Sequence, residues 1–216
     1  MPLGPPPRLI AITDLGVLGH DALVARLSRL AERAVPGSVA FLLRDHAASG
    51  RARLALGSEL SQLARATAQQ LWVADRLDLA ALLDADALHL GEHSVRADVA
   101  RRFIGDRVRI SRAWHTTSLE GDAATAELGG LDALLVSPLL SPRKNRPALG
   151  LPALGALGEQ LRARNLASHL KLYALGGVTR ENAAACLAAG ATGVAAIGAA
   201  LEGDPLALLG ALEILR

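Results

Sequence analysis

The chain has 216 residues, 51% of them hydrophobic, 20% charged and only 2% aromatic, and its 23 Lys and Arg against 21 Asp and Glu leave a formal charge of +2. That length allows one large core of the kind found in β/α barrels of roughly 200–250 residues, and the near balance of charge gives no strong field to favour nucleic acid or an anionic membrane. The single cysteine, Cys186, excludes an intrachain disulfide and a cysteine-built zinc cluster, and its Ala/Leu surroundings read as a buried helical face.

In chain order, the first eight residues, Met1-Pro-Leu-Gly-Pro-Pro-Pro-Arg8, lack the charged start and apolar stretch of a signal peptide and read as a disordered lead-in. The rest, 9–216, reads as a single domain. No apolar run reaches the ~18 residues of a membrane span, so a soluble, cytoplasmic protein is expected. Strands are predicted at Leu9–Thr13, Val39–Leu43, Leu71–Ala74, Ala87–Leu90, Val108–Ser111, Ala133–Val136, Leu170–Ala174 and Gly193–Ile197. Several are apolar at nearly every position, as strands covered on both faces are. Between them lie amphipathic segments such as Asp21–Val35, where Leu23, Leu27, Leu30 and Ala31 fall on one side. Arg26, Arg29 and Arg33 form the solvated other side. Eight such units, unbroken by linkers, predict parallel pairing through right-handed crossovers and closure into a (β/α)₈ TIM barrel of the α/β class. The competing arrangement is an open doubly wound sheet, and the short Leu77–Asp84 crossover is the weakest unit.

Barrel active sites form where strands end and the following loops begin. Polar residues recur there: Asp14, then Arg44-Asp45-His46, then Asp75-Arg76, then His89 with Gly91-Glu92-His93. Ser111 and His115 follow the fifth strand, and Ser137 with Ser141-Pro-Arg-Lys144 the sixth. The seventh ends in Gly176-Gly177 and the eighth in Gly198-Ala199. Small residues let amides turn toward an anion, and barrels commonly bind phosphate between these last two loops. Gly176, Gly177, Gly198 and Ala199 are therefore the predicted phosphate contacts, with Thr179 expected to cap a helix starting near Arg180.

Other residues admit two readings. His89 is either a hydrogen-bonded core histidine or a ligand contact. His46 and His93 are loop residues or touch ligand, and no spacing among His46, His89, His93 and His115 has a zinc signature. Trp114 either stacks on a heterocycle or packs a loop, and Arg44 points into the mouth.

From Ile10 to about Ala200 the chain resembles the thiamine phosphate synthase and TenI family of (β/α)₈ barrels. The resemblance is carried by Ala11-Ile-Thr-Asp14, Leu42-Leu-Arg-Asp-His46, Val73-Ala-Asp-Arg76 and Ala87-Leu-His-Leu-Gly-Glu92. The later half adds Ser111…His115, Asp132-Ala-Leu-Leu-Val-Ser-Pro138, Tyr173-Ala-Leu-Gly-Gly177 and Ala189-Gly-Ala…Gly-Val-Ala195. The family implies two activities. The synthase is a Mg²⁺-dependent transferase that joins a pyrimidine diphosphate to a thiazole phosphate and releases pyrophosphate. The TenI branch includes a cofactor-free tautomerase that aromatises a carboxylated thiazole phosphate.

The synthase pattern is altered after the second, third, fourth and sixth strands. Its Arg-Glu-Lys after the second strand is Arg44-Asp45-His46 here, and its Asn-Asp after the third is Ala74-Asp75. Ser94 stands where a second Mg²⁺ carboxylate belongs, which leaves Asp75 as a lone metal ligand. The Thr pair before Lys144 is replaced by the shorter Ser141-Pro142-Arg143. The TenI pattern Gly-x-Ser-x-His matches Ser111 and His115 with two residues inserted.

The resemblance thus implies a TenI-like tautomerase with His115 as catalytic acid/base, acting on a phosphorylated thiazole without a cofactor. Arg44, His46, Asp75 and His89 would contact that substrate, together with Ser111, Ser137 and Lys144. The alternatives are a Mg²⁺-dependent synthase, with Asp75 on the metal, and a non-catalytic binder of a phosphorylated ligand. A homodimer is implied as well.

Overall fold

The apolar runs become strands because their side chains can be buried on both faces. In the computed structural model, which describes residues 4–121, 127–143 and 145–216, eight strands close into a barrel in sequence order, each parallel to its neighbours. They are β1 (Leu9–Ile12), β2 (Val39–Leu43), β3 (Gln70–Ala74), β4 (Ala87–Leu90), β5 (Arg109–Trp114), β6 (Ala133–Val136), β7 (Lys171–Leu175) and β8 (Gly193–Ala196). Closure is made by β1 on β8, with Leu9 opposite Val194 and Ala11 opposite Ala196. The expected barrel is thereby found, and the open sheet is not.

Two cores follow from the period of two along each strand. Residues such as Ile10, Ile12, Leu42, Trp72, Leu135 and Tyr173 fill the barrel interior. There Trp72 and Tyr173 meet edge to face, 5.9 Å between centroids. The alternate residues pack outward under a ring of helices. Among the described residues these are α1 (His20–Arg33), α2 (Gly50–Thr67), α3 (Leu77–Leu82), α4 (Ala97–Ile104), α5 (Pro152–Ala163), α6 (Ala183–Ala188), α7 (Gly198–Leu201) and α8 (Pro205–Ala211). The weak unit after β3 does fold, as the short α3, and buries Leu79 and Ala80.

Three expectations need correction, and the open reading of Trp114 closes. β5 runs to Trp114, three residues past the predicted end, so Ser111 lies inside the strand and His115 directly follows it. Trp114 points into the outer, helix-facing core, so it packs and does not stack on a ligand. α6 begins at Ala183, after Asn182; Thr179 does not cap it, and the Thr179 amide instead donates to Asn182 Oδ1 at 2.8 Å. Finally, residues 4–8 have a defined course across the N-terminal end of the barrel. Pro7 is buried, the Pro5 carbonyl accepts from Gln70 Nε2 at 2.8 Å, and the Arg8 carbonyl accepts from Val194 N at 2.9 Å. The Pro5 carbonyl remains free to accept from the Gln70 amide, and the Gly4 carbonyl accepts from the Arg109 guanidinium at the barrel floor. Among the described residues no helix is long and apolar enough to cross a membrane.

Candidate functional site

The C-terminal mouth is built first by side chains that hold backbone. At the end of β2 the Asp45 carboxylate is buried, bonded to the Thr13 hydroxyl and to Leu15 N at 2.6 Å. Thr13 Oγ1 in turn accepts from Arg44 N at 3.0 Å. Asp45 is thus consumed in tying the β1 loop to β2, while its neighbours Arg44 and His46 line a cavity of about 880 Å³ over the barrel.

Directly after β3 comes Asp75, whose φ of 61° is left-handed, a conformation that Asp tolerates better than most residues. Its amide donates to His89 O at 2.8 Å, and Oδ1 accepts from Gly91 N at 2.8 Å and from the Ser94 hydroxyl. Oδ2 faces His46 Nε2 at 3.9 Å. Gly91 is needed here because a Cβ would sit 3.2 Å from Asp75 Oδ1.

Below the rim, His89 Nδ1 lies 3.0 Å from Ser111 Oγ. Burial pushes the His89 imidazole down to about 4, against the pull of Asp75 and with the push of Arg44, Arg112 and His115. His89 lines the floor of the cavity, whereas Ser111 is fully buried beneath it as the hydrogen-bond partner of His89. Higher up, His115 Nδ1 is 2.5 Å from the Ser137 carbonyl and 3.3 Å from Ser137 Oγ. A carbonyl oxygen can only accept, so Nδ1 carries the proton. In the neutral ring Nε2 is then the lone-pair nitrogen, able to take a proton from a ligand.

Three arginines frame the rim, of which motif reasoning singles out only Arg143. Arg112, its body buried on the outside of β5, donates to Gly91 O at 3.0 Å and Val95 O at 2.7 Å, and its Nε lies 2.6 Å from Glu127 Oε1. It therefore holds the β4 loop in place. Arg146 grips both oxygens of Glu92, at 2.6 and 2.8 Å, joining the β6 loop to the β4 loop across the opening, and this bond holds the Glu92 carboxyl below its ordinary value. Arg143, paired through its backbone with Arg146, lines this cavity and the next. Lys144 lies outside the described residues.

The second cavity, about 750 Å³, opens between the β7 and β8 loops and meets the first at Leu175, Gly176 and Arg143. All four predicted phosphate contacts line it. Gly176 and Gly177 have φ of 99° and 75°, and a Cβ on Gly177 would come 2.3 Å from Ser141 Oγ. Among the described residues the amides of Gly177, Gly198 and Ala199 donate to no protein acceptor. The Asn182 side chain accepts from Thr179 N and donates to Gly177 O at 2.9 Å, which fixes the glycine turn. Glu202, Glu181 and Asp204 also border this cavity; Glu181 is paired with Arg180 at 2.6 Å, and Asp204 caps α8 through Leu206 N at 3.0 Å.

The resemblance to synthases implies Mg²⁺, and the donors present do not fit it. One oxygen of Asp75 is occupied by Gly91 and Ser94, and the other has an imidazole beside it. Both oxygens of Glu92 are held by Arg146. Mg²⁺ is a hard ion that asks for oxygens in octahedral array. Among the described residues no three His, Cys, Asp or Glu side chains converge to hold a metal.

Comparison with known proteins agrees with the architecture. The family described as thiamine monophosphate synthase matches residues 9–200. A thiamine-phosphate synthase of Roseiflexus castenholzii is 37% identical over 203 residues, 93% of this chain and 84% of that protein. One of Natronomonas pharaonis is 35% identical over 180 residues, 82% of this chain and 81% of that protein. A solved structure, thiamine phosphate pyrophosphorylase from Pyrococcus furiosus, superposes with a TM-score of 0.77 at 26% identity, covering 95% of each chain.

Proposed function

Because the chain belongs to the thiamine monophosphate synthase family, we infer that it is an enzyme of thiamine biosynthesis and that its reaction is the transfer that joins a pyrimidine diphosphate to a thiazole phosphate. The observation that carries this reading is the pair of cavities sharing Gly176 and Arg143. One offers free amides to a phosphate, and the other offers cationic and imidazole side chains to a second anionic substrate. The thiazole phosphate rests on Gly177, Gly198 and Ala199, which sets its ring toward the mouth. As the new bond forms to the pyrimidine carbon, the bond to diphosphate breaks and its electron pair leaves with pyrophosphate. Arg44 and Arg143 face the charge that develops there.

A second reading, the thiazole tautomerase, is favoured by His115. Its fixed Nδ1–H leaves Nε2 as a base over the same phosphate anchor, and Ser94 in the carboxylate's place is no handicap to proton transfer.

One assay separates the two. With both phosphorylated substrates supplied, the transferase releases pyrophosphate, and Arg44→Met slows the release by at least about tenfold. A tautomerase releases none, converts the carboxylated thiazole phosphate alone, and loses that conversion in His115→Ala. Binding with no turnover of either kind removes both readings in favour of a non-catalytic binder.

A further inference from the structure

The mouth cavity has been rebuilt at the point where a diphosphate would meet a metal. The retained carboxylate, Asp75, lines the cavity, and its Oδ1 accepts from two donors, Gly91 N and the Ser94 hydroxyl, and so braces the β4 loop. Its second oxygen confronts His46 Nε2 at 3.9 Å. The other nearby acid, Glu92, spends both oxygens on Arg146. Against these, Arg44, His46, His115 and Arg143 line the same cavity. Arg44 Nε is buried and has no hydrogen-bond partner among the described residues. A buried guanidinium N–H without an acceptor is costly to leave unmet. Its planar fork suits two phosphoryl oxygens of a diphosphate.

We propose that the mouth binds the diphosphate group of its substrate on side-chain cations alone, with no divalent metal ion between the anion and the protein. This deepens the transferase reading and rests on it for the identity of the anion. In this arrangement Asp75 is an electrostatic burden to the ligand, carried for the loop it holds. The sign of its effect therefore separates the proposal from a metal site: neutralising a metal ligand weakens binding, whereas neutralising a bare carboxylate beside an anion strengthens it.

The test titrates inorganic pyrophosphate onto the full chain by calorimetry at fixed ionic strength, once in EDTA and once in Mg²⁺. Pyrophosphate should bind in EDTA at least as tightly as in Mg²⁺. Asp75→Asn, which keeps an acceptor for Gly91 and Ser94, should bind equally well or up to about tenfold tighter. Arg44→Met should bind about tenfold more weakly. Binding that appears only with Mg²⁺, a tenfold weakening in Asp75→Asn, or no binding in EDTA overturns the proposal. Its failure is distinct from that of the transferase reading. Pyrophosphate binding in EDTA without any transfer reaction removes the reading and leaves the metal-free site. Transfer that stops in EDTA together with pyrophosphate binding does the reverse.

Discussion

His89 is neutral at physiological pH because the barrel interior strips it of water, and its value of about 4 contrasts with about 6.5 for an unburied imidazole. The unfolded chain binds this proton first as pH falls. The stability associated with neutral His89 is therefore whole above about pH 6.5 and drains away between about 6.5 and 4. The loss reaches at most about 3 kcal/mol. A series of urea melts from pH 7.5 to 4 should show that decline, and His89→Gln, which can still bond Ser111, should flatten it. The sequence allowed His89 to be either a core residue or a ligand contact; it is buried and bonded to Ser111, and it also lines the cavity floor. Ser111 could not be placed without knowing where β5 ends. The role of Ser94 was visible only as a missing carboxylate; that its hydroxyl bonds Asp75 depends on a contact made across 19 residues of chain.

At the level of elements, the strands were legible because a barrel wall buries both faces, and seven of the eight lie within one residue of their expected bounds. β5 misled because Arg112 looks like a loop residue. Its stem is in fact buried and its guanidinium is absorbed by the carbonyls of Gly91 and Val95. The same extension accommodates the two residues inserted between Ser111 and His115, and delivers His115 to the rim. The β7 turn was legible from its glycines, whereas the Asn182 side chain that fixes it was not, because any Asn near a helix start carries the same local signal. Gly177→Ala tests this turn directly. At a φ of 75°, with Ser141 Oγ at 2.3 Å and Ser141 N at 2.8 Å from the new Cβ, the β6 and β7 loops must separate. A loss of about 1–3 kcal/mol is expected in chemical unfolding, together with weaker binding of inorganic phosphate, while far-ultraviolet circular dichroism stays unchanged.

Across the whole molecule, the two ends of the barrel have opposite duties. The floor is sealed by Trp72, Tyr173, Gln70 and Arg109, over which residues 4–8 are drawn. Deleting residues 1–7 withdraws the acceptors at Gly4 and Pro5. It should lower Tm by roughly 2–10 °C, the equivalent of about 1–3 kcal/mol, and leave pyrophosphate binding at the far end untouched in the same calorimetric titration. Composition alone hid this course, since a Pro-rich start without periodicity looks the same whether or not something accepts its carbonyls.

The opposite end is spanned by the Arg146–Glu92 pair, and that crossing couples traffic to charge. An anion arriving at the rim competes with Glu92 for the Arg146 guanidinium. Added salt, by screening an exposed pair more than the recessed charges beneath it, relaxes the threshold before it empties the room.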